Sequence, residues 1–178
     1  MKRSLFLKSL PFLSLALFLA FTSIAQNGQR RTSTASTATG KIGAANVTIN
    51  YSSPAVDGRK IWGELVPYDK AWRAGANQAT TLETDKELTI GGKKLPPGKY
   101  SLFATPGQDK WTITLNSQTG QWGIKGGGVA NFDPEKNVLT VEATPRKSAT
   151  MNERLAYVVN GDGVVLQWEN LEVPIPIK

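Results

Sequence analysis

With neither histidine nor cysteine among its 178 residues, this chain has only carboxylate, lysine, arginine, tyrosine and serine side chains with which to do chemistry. The double absence removes thiol nucleophiles, disulfides, imidazole bases, a Ser/His/Asp triad and any zinc site built on imidazole or thiolate. What remains concentrates in residues 67–81, where Trp72, Arg73 and Asn77 crowd together without strand periodicity. The Arg73 guanidinium offers donors in a rigid fork, and Asn77 adds a donor and an acceptor. Gly75 between them permits a tight or positive-φ bend that turns both side chains toward one point. Two roles compete for Arg73. Paired with Asp57, Glu64 or Asp69 it is a structural clamp, because a buried unpaired charge is costly. Facing a pocket, its fork fits a carboxylate, sulfate or phosphate.

The neighbouring residues divide in the same way. Asp69 is placed to cap a single helical turn, with Trp72 pointing inward as a plug. Of the five tryptophans, Trp111 and Trp168 occupy alternating core positions, whereas Trp62, Trp72 and Trp122 lie in or beside long loops where a ring can stack on a ligand. Glu64 with Asp69 is the one loop pair of carboxylates available to a glycosidase, which needs two such groups about 5 to 10 Å apart. Glu83, Asp85 and Glu87 share a strand face and read as a solvated surface rather than a calcium site, since calcium wants convergent loop oxygens. Gly126, Gly127 and Gly128 lack the Lys-Ser/Thr pair of a phosphate loop and read as flexibility. No metal site and no cofactor is expected.

These residues must be positioned by strands. Residues 1–25 have a basic start at Lys2 and Arg3, an apolar run over 10–21 and a Ser23-Ile24-Ala25 end, the pattern of a cleaved signal peptide. The run falls short of the roughly 20 residues a bilayer requires, and no cysteine follows it to carry a lipid anchor. The expectation is a periplasmic or secreted protein that begins near Gln26 and has no membrane span after processing. The Ser/Thr-rich residues 26–43 read as a flexible linker, too polar and simple to bury anything. Residues 44–178 read as a single domain.

Within it, Val47, Ile49 and Tyr51 alternate with Thr48 and Asn50 to give a half-buried strand over 46–51. A long loop over 53–79 follows, broken only by a short strand expected at 59–62. Strands are expected at 80–84 and 87–90, then, after a Gly91-Gly92 hairpin turn, at 93–95, 99–105 and 110–116. A second long, glycine-rich connection covers 117–136. Strands then return at 137–144, 154–159, 164–169 and 171–177, with Pro174 and Pro176 placing the last at a sheet edge. Nine or ten short strands and no long helix predict an all-β antiparallel sandwich, jelly-roll-like in class. The formal charge of +7 falls to +4 without Lys2, Arg3 and Lys8, and no clustered basic face points to nucleic acid.

The chain also resembles a secreted bacterial family catalogued as DUF2911, for which no activity is established. The likeness rests on Tyr51 and Pro54, Gly58-Arg59-Lys60-Ile61, Leu65-Val66-Pro67-Tyr68, Trp72-Arg73, Gly75-Ala76-Asn77 and Ala79-Thr80-Thr81. It continues through Ile90-Gly91-Gly92, Tyr100, Leu102-Phe103, Trp111, Ile113, Gln121-Trp122-Gly123 and Trp168-Glu169-Asn170, so it spans residues 46–177. It implies a β-rich extracytoplasmic domain. The family pattern often places a carboxylate after the Asn of the central motif, where this chain has Gln78. Were that carboxylate catalytic, this member would lack it. The leading expectation is a non-catalytic module that binds a carbohydrate or small anionic ligand through Trp72, Arg73, Asn77 and Trp122. The alternatives are a carboxylate-dependent glycoside-acting enzyme and a purely structural or envelope-interaction protein.

Overall fold

The computed structural model describes residues 33–178. The expected signal peptide, and the linker as far as residue 32, lie outside the described residues. Ten strands follow one another: β1 Thr34–Ile42, β2 Ala45–Ser53, β3 Thr80–Thr84, β4 Leu88–Ile90, β5 Lys93–Leu95, β6 Gly98–Thr105, β7 Trp111–Asn116, β8 Asn137–Ala143, β9 Arg146–Asn160 and β10 Gly163–Pro176. All pairings between them are antiparallel. Among the described residues the only helical turns are two 3-10 turns at Gly126–Gly128 and Pro134–Lys136. Six strands form one sheet in the order β1-β2-β3-β6-β7-β8, a meander from which the β4–β5 hairpin departs. Gly91 and Gly92 make that hairpin turn with positive φ at both positions, as the sequence leads one to expect.

The inner face of the sheet carries Val47, Ile49, Leu82, Leu102, Trp111, Ile113 and Leu139. Against it pack Leu155, Tyr157, Leu166 and Trp168 from the β9–β10 hairpin, together with Val173 and Ile175 from the end of β10. β6 is buried on both faces. Its residue Phe103 turns outward and meets Phe132 at 4.5 Å, beneath the 117–136 connection, with Ala79 and Ala130 completing a second small cluster.

Four sequence expectations need correction. The linker is a strand from Thr34 onward, pairing with β2 from Thr34↔Ser53 to Ile42↔Ala45. Its β-branched threonines favour extended backbone, and ladder hydrogen bonds supply what its composition cannot supply by burial. The expected strand at 59–62 is absent, leaving an isolated bridge between Trp62 and Val66. The strands expected at 164–169 and 171–177 are one, bent where the register shifts between Gln167 and Leu171 and where Glu169 takes a φ of 53°. A bulge of this kind bends a strand without ending it, so the interruption in alternation looked like a boundary. Its partner β9 likewise begins at Arg146 rather than at 154. Pro174 and Pro176 lie past Glu172↔Arg146, the last pair of the β9–β10 ladder.

Candidate functional site

The site begins as an interruption of a strand line. The β3–β6 ladder ends at Thr80↔Leu102, and the next inward-facing position of β6, Ala104, pairs instead with Trp72. Trp72 N–H donates to Ala104 O at 2.7 Å, and Ala104 N–H returns to Trp72 O at 2.9 Å. Trp72 therefore lies on the extension of β3, and residues 73–79 leave the sheet and come back to it. Thr80 closes the neck, its N–H reaching Arg73 O at 3.4 Å and its Oγ1 donating to Ala74 O at 2.9 Å.

Three neighbours pin this excursion. Ala76 N–H donates to Ser52 O on β2 at 3.1 Å. The Tyr157 hydroxyl, fully buried on β9, donates to Ala74 O at 2.8 Å. From the 117–136 connection, Gly123 N–H donates to Asn77 O at 2.9 Å, and Gln121 O accepts from Ala79 N–H at 3.1 Å. The pinning sustains a backbone that is otherwise disfavoured, with φ of 52° at Ala74 and 59° at Asn77. An Ala in that region costs about 1–2 kcal/mol, while Asn tolerates it better. The bend expected at Gly75 is thus made on either side of it. Gly75 is needed for closeness: a Cβ there would stand 2.8 Å from Thr80 Oγ1 and 3.2 Å from Ser52 O. Asp69 also differs from expectation. It has a φ of 59° and no helix after it, so it caps nothing, and its N–H goes to Pro106 O at 2.8 Å.

Trp72, Arg73 and Asn77 do converge, on a cleft of about 500 Å³ whose walls also include Arg59, Lys70 and Trp168. Among the described residues no carboxylate lines it. Arg73 has no ion pair among the described residues: Glu64 pairs with Lys60 at 3.0 Å, and neither Asp57 nor Asp69 bridges to it. Among the described residues its Nε is buried without a hydrogen-bond partner, and burial holds the guanidinium pKa below the ordinary arginine value. An ion-paired arginine would be shifted the other way. What fixes Arg73 is its aliphatic stem, over which the Gly123 backbone lies so closely that a Cβ on Gly123 would overlap Arg73 Cδ. Arg59 is tied to its own loop, donating from Nε to Val56 O at 3.1 Å and from Nη2 to Ala55 O.

Trp72 forms a wall of the cleft. It stacks on Trp168 at 5.8 Å, meets Trp62 and Trp111 edge to face, and donates from Nε1 to Gly75 O at 3.1 Å. Trp62 is 8% exposed and belongs to this aromatic core rather than to a platform. Asn77 reaches Ser52 Oγ from Nδ2 at 3.5 Å. Trp122, 54% exposed, does not line the cleft, which its neighbour Gly123 touches only through Arg73. Glu64 and Asp69 do not line it either.

Sequence reasoning missed Lys70, Arg59 and Tyr157. Lys70 lay in view within residues 67–81, but nothing marked the hydroxyl of Tyr157 as the anchor of a loop 83 positions away. The acidic trio is a solvated surface, as expected: Glu83 pairs with Lys99, Glu87 pairs with Lys94, and Asp85 accepts from Asn46 N–H at 2.7 Å.

A family model described as protein of unknown function, DUF2911, matches residues 33–177. The match starts at the threshold of β1, where the sequence reading still had a linker. No curated protein and no solved structure matches the chain.

Proposed function

The chain belongs to the DUF2911 family, a membership that brings no activity with it, and on that premise we propose a non-catalytic binding module whose cleft takes a small anion on Arg73. One observation carries the reading: a partly desolvated guanidinium with a buried, unpartnered Nε and no carboxylate on the surrounding walls. Buried polar groups in folded proteins are as a rule hydrogen-bonded, and a desolvated charge without a partner is costly. A carboxylate or phosphate entering the cleft supplies the missing countercharge, in the planar geometry a guanidinium fork prefers. Lys70 on the same wall adds to the attraction.

A carbohydrate draws less support from this site. Trp168 covers one face of Trp72, its neighbours Trp62 and Trp111 meet it edge to face, and Trp122 stands outside the cleft, so the cleft lacks the pair of tryptophan platforms that the sequence offered. For a glycoside-acting enzyme, Glu64 is engaged with Lys60 and neither it nor Asp69 reaches the cleft.

Calorimetric titration with acetate, inorganic phosphate and sulfate tests the proposal. At least one of these anions should bind the wild type saturably. Arg73→Ala should lose that binding, and Arg73→Lys should lose most of it, because a point ammonium cannot reproduce a bidentate fork. Equal affinity in the wild type and Arg73→Ala overturns the assignment.

A further inference from the structure

A second hollow of about 420 Å³ adjoins the cleft. It shares Lys70, Ala71, Gly127 and Gly128 with the cleft, so the two are continuous along one boundary. Two of those four residues have no side chain and a third has only a methyl, so little stands between the hollows. The second differs in character. Beyond the shared boundary it is lined by Val129, Ala130, Phe132 and Pro134, with Lys125 and Lys70 at its margins and again no carboxylate. Val129 stands 56% exposed there, the side chain of a residue type that is normally buried. Its apolar floor is firm, because Phe132 packs on Phe103 and both belong to the second core cluster.

A partly desolvated cation on the wall of a polar cleft, and an apolar hollow flanked by two lysines beside that, together describe a ligand with two ends. Resting on the anion-binding reading above, we propose that the ligand is a small amphiphilic organic anion: a carboxylate or phosphate head on Arg73 and a short apolar chain or ring over Val129 and Phe132. The glycines at 127 and 128 let such a ligand cross the boundary without meeting a side chain. Lys70, which lines both hollows, stands beside the connection between head and tail. An inorganic anion would leave the second hollow unused, and a neutral hydrocarbon would leave Arg73 unpaired.

The test is a calorimetric series of acetate, butanoate and hexanoate, with hexanol as the neutral control, on the wild type, Arg73→Ala and Val129→Ser. Affinity should rise about two- to fourfold per added methylene, the range set by hydrophobic transfer into a half-open groove. Hexanol should not bind measurably. With the Val129 side chain 56% exposed, Val129→Ser should leave the fold intact and narrow the hexanoate-to-acetate ratio by about threefold. Arg73→Ala should lose every acid in the series.

Acids that bind through Arg73 with no dependence on chain length would overturn this inference and leave the anion site standing. Acids that bind equally well to Arg73→Ala would overturn both. An unchanged hexanoate-to-acetate ratio in Val129→Ser would place the tail elsewhere and refute the assignment. Sedimentation with phosphatidylglycerol vesicles, without a saturable response to any soluble acid, would point to a membrane surface and likewise overturn it.

Discussion

Arg73 is held by its carbon atoms rather than by its charge. The Gly123 backbone covers its methylenes while its Nε goes without an acceptor, which is the reverse of a structural clamp. Asn77 follows a different logic, since its backbone conformation matters as much as its side chain. At a φ of 59°, Asn77→Ala should lose about 1 kcal/mol of stability, while Asn77→Gly, which takes that conformation freely, should lose less. Denaturant midpoints of the two variants decide the matter; equal losses would mean that the 3.5 Å contact to Ser52, not the backbone, is what counts. At this scale the sequence was informative about grouping and silent about cause. Trp72, Arg73 and Asn77 stood out because they broke a period-two pattern. The positive φ was expected at Gly75 because residue type suggested it, but tertiary hydrogen bonds to Ala74 O impose it on an alanine instead.

Between elements, Tyr157 is the link that matters most to the site, tying β9 to the excursion through Ala74 O at 2.8 Å. Tyr157→Phe removes one hydrogen bond but leaves Thr80 Oγ1 on the same carbonyl, so it should cost about 0.5–1.5 kcal/mol. If the link positions Arg73, the variant should also weaken anion binding; a stability loss with unchanged affinity would make Tyr157 a core residue only. The strands themselves were largely legible, because β2, β7 and β8 alternate in sequence as they do in burial, and β6, buried on both faces, is bounded by turn residues at both ends. β1 was not legible, because its inward face, Ser36, Ala38 and Gly40 before Ile42, is built of small residues that lie against β9 without an apolar alternation, while its other face is polar. The pairing of Trp72 with Ala104 was equally hidden, since one residue on an extended line carries no periodicity.

For the molecule as a whole, two groups contribute to the pH dependence of stability from opposite sides. Asp85 accepts from the Asn46 side chain and backbone, which holds its carboxyl below the usual 3.8. Its contribution is therefore complete above that value and is lost as pH falls through the lower folded value, so Asp85→Asn should flatten part of the acid limb of a stability profile. Tyr157 runs the opposite way: burial first, and Tyr51 beside it, push its hydroxyl well above 10.0. The stability it gives is complete below 10.0 and is lost as pH rises beyond it, a loss that Tyr157→Phe should remove from the alkaline limb. The central claim, that Arg73 is a cation awaiting a ligand and not half of a clamp, is tested most directly by the melting temperature of Arg73→Met without any ligand. Methionine keeps an apolar stem under Gly123 and removes the desolvated charge. The account predicts a melting temperature within a few degrees of the wild type, or above it. A fall of more than about 10 °C would mean that a buried pair had been broken, and would contradict it.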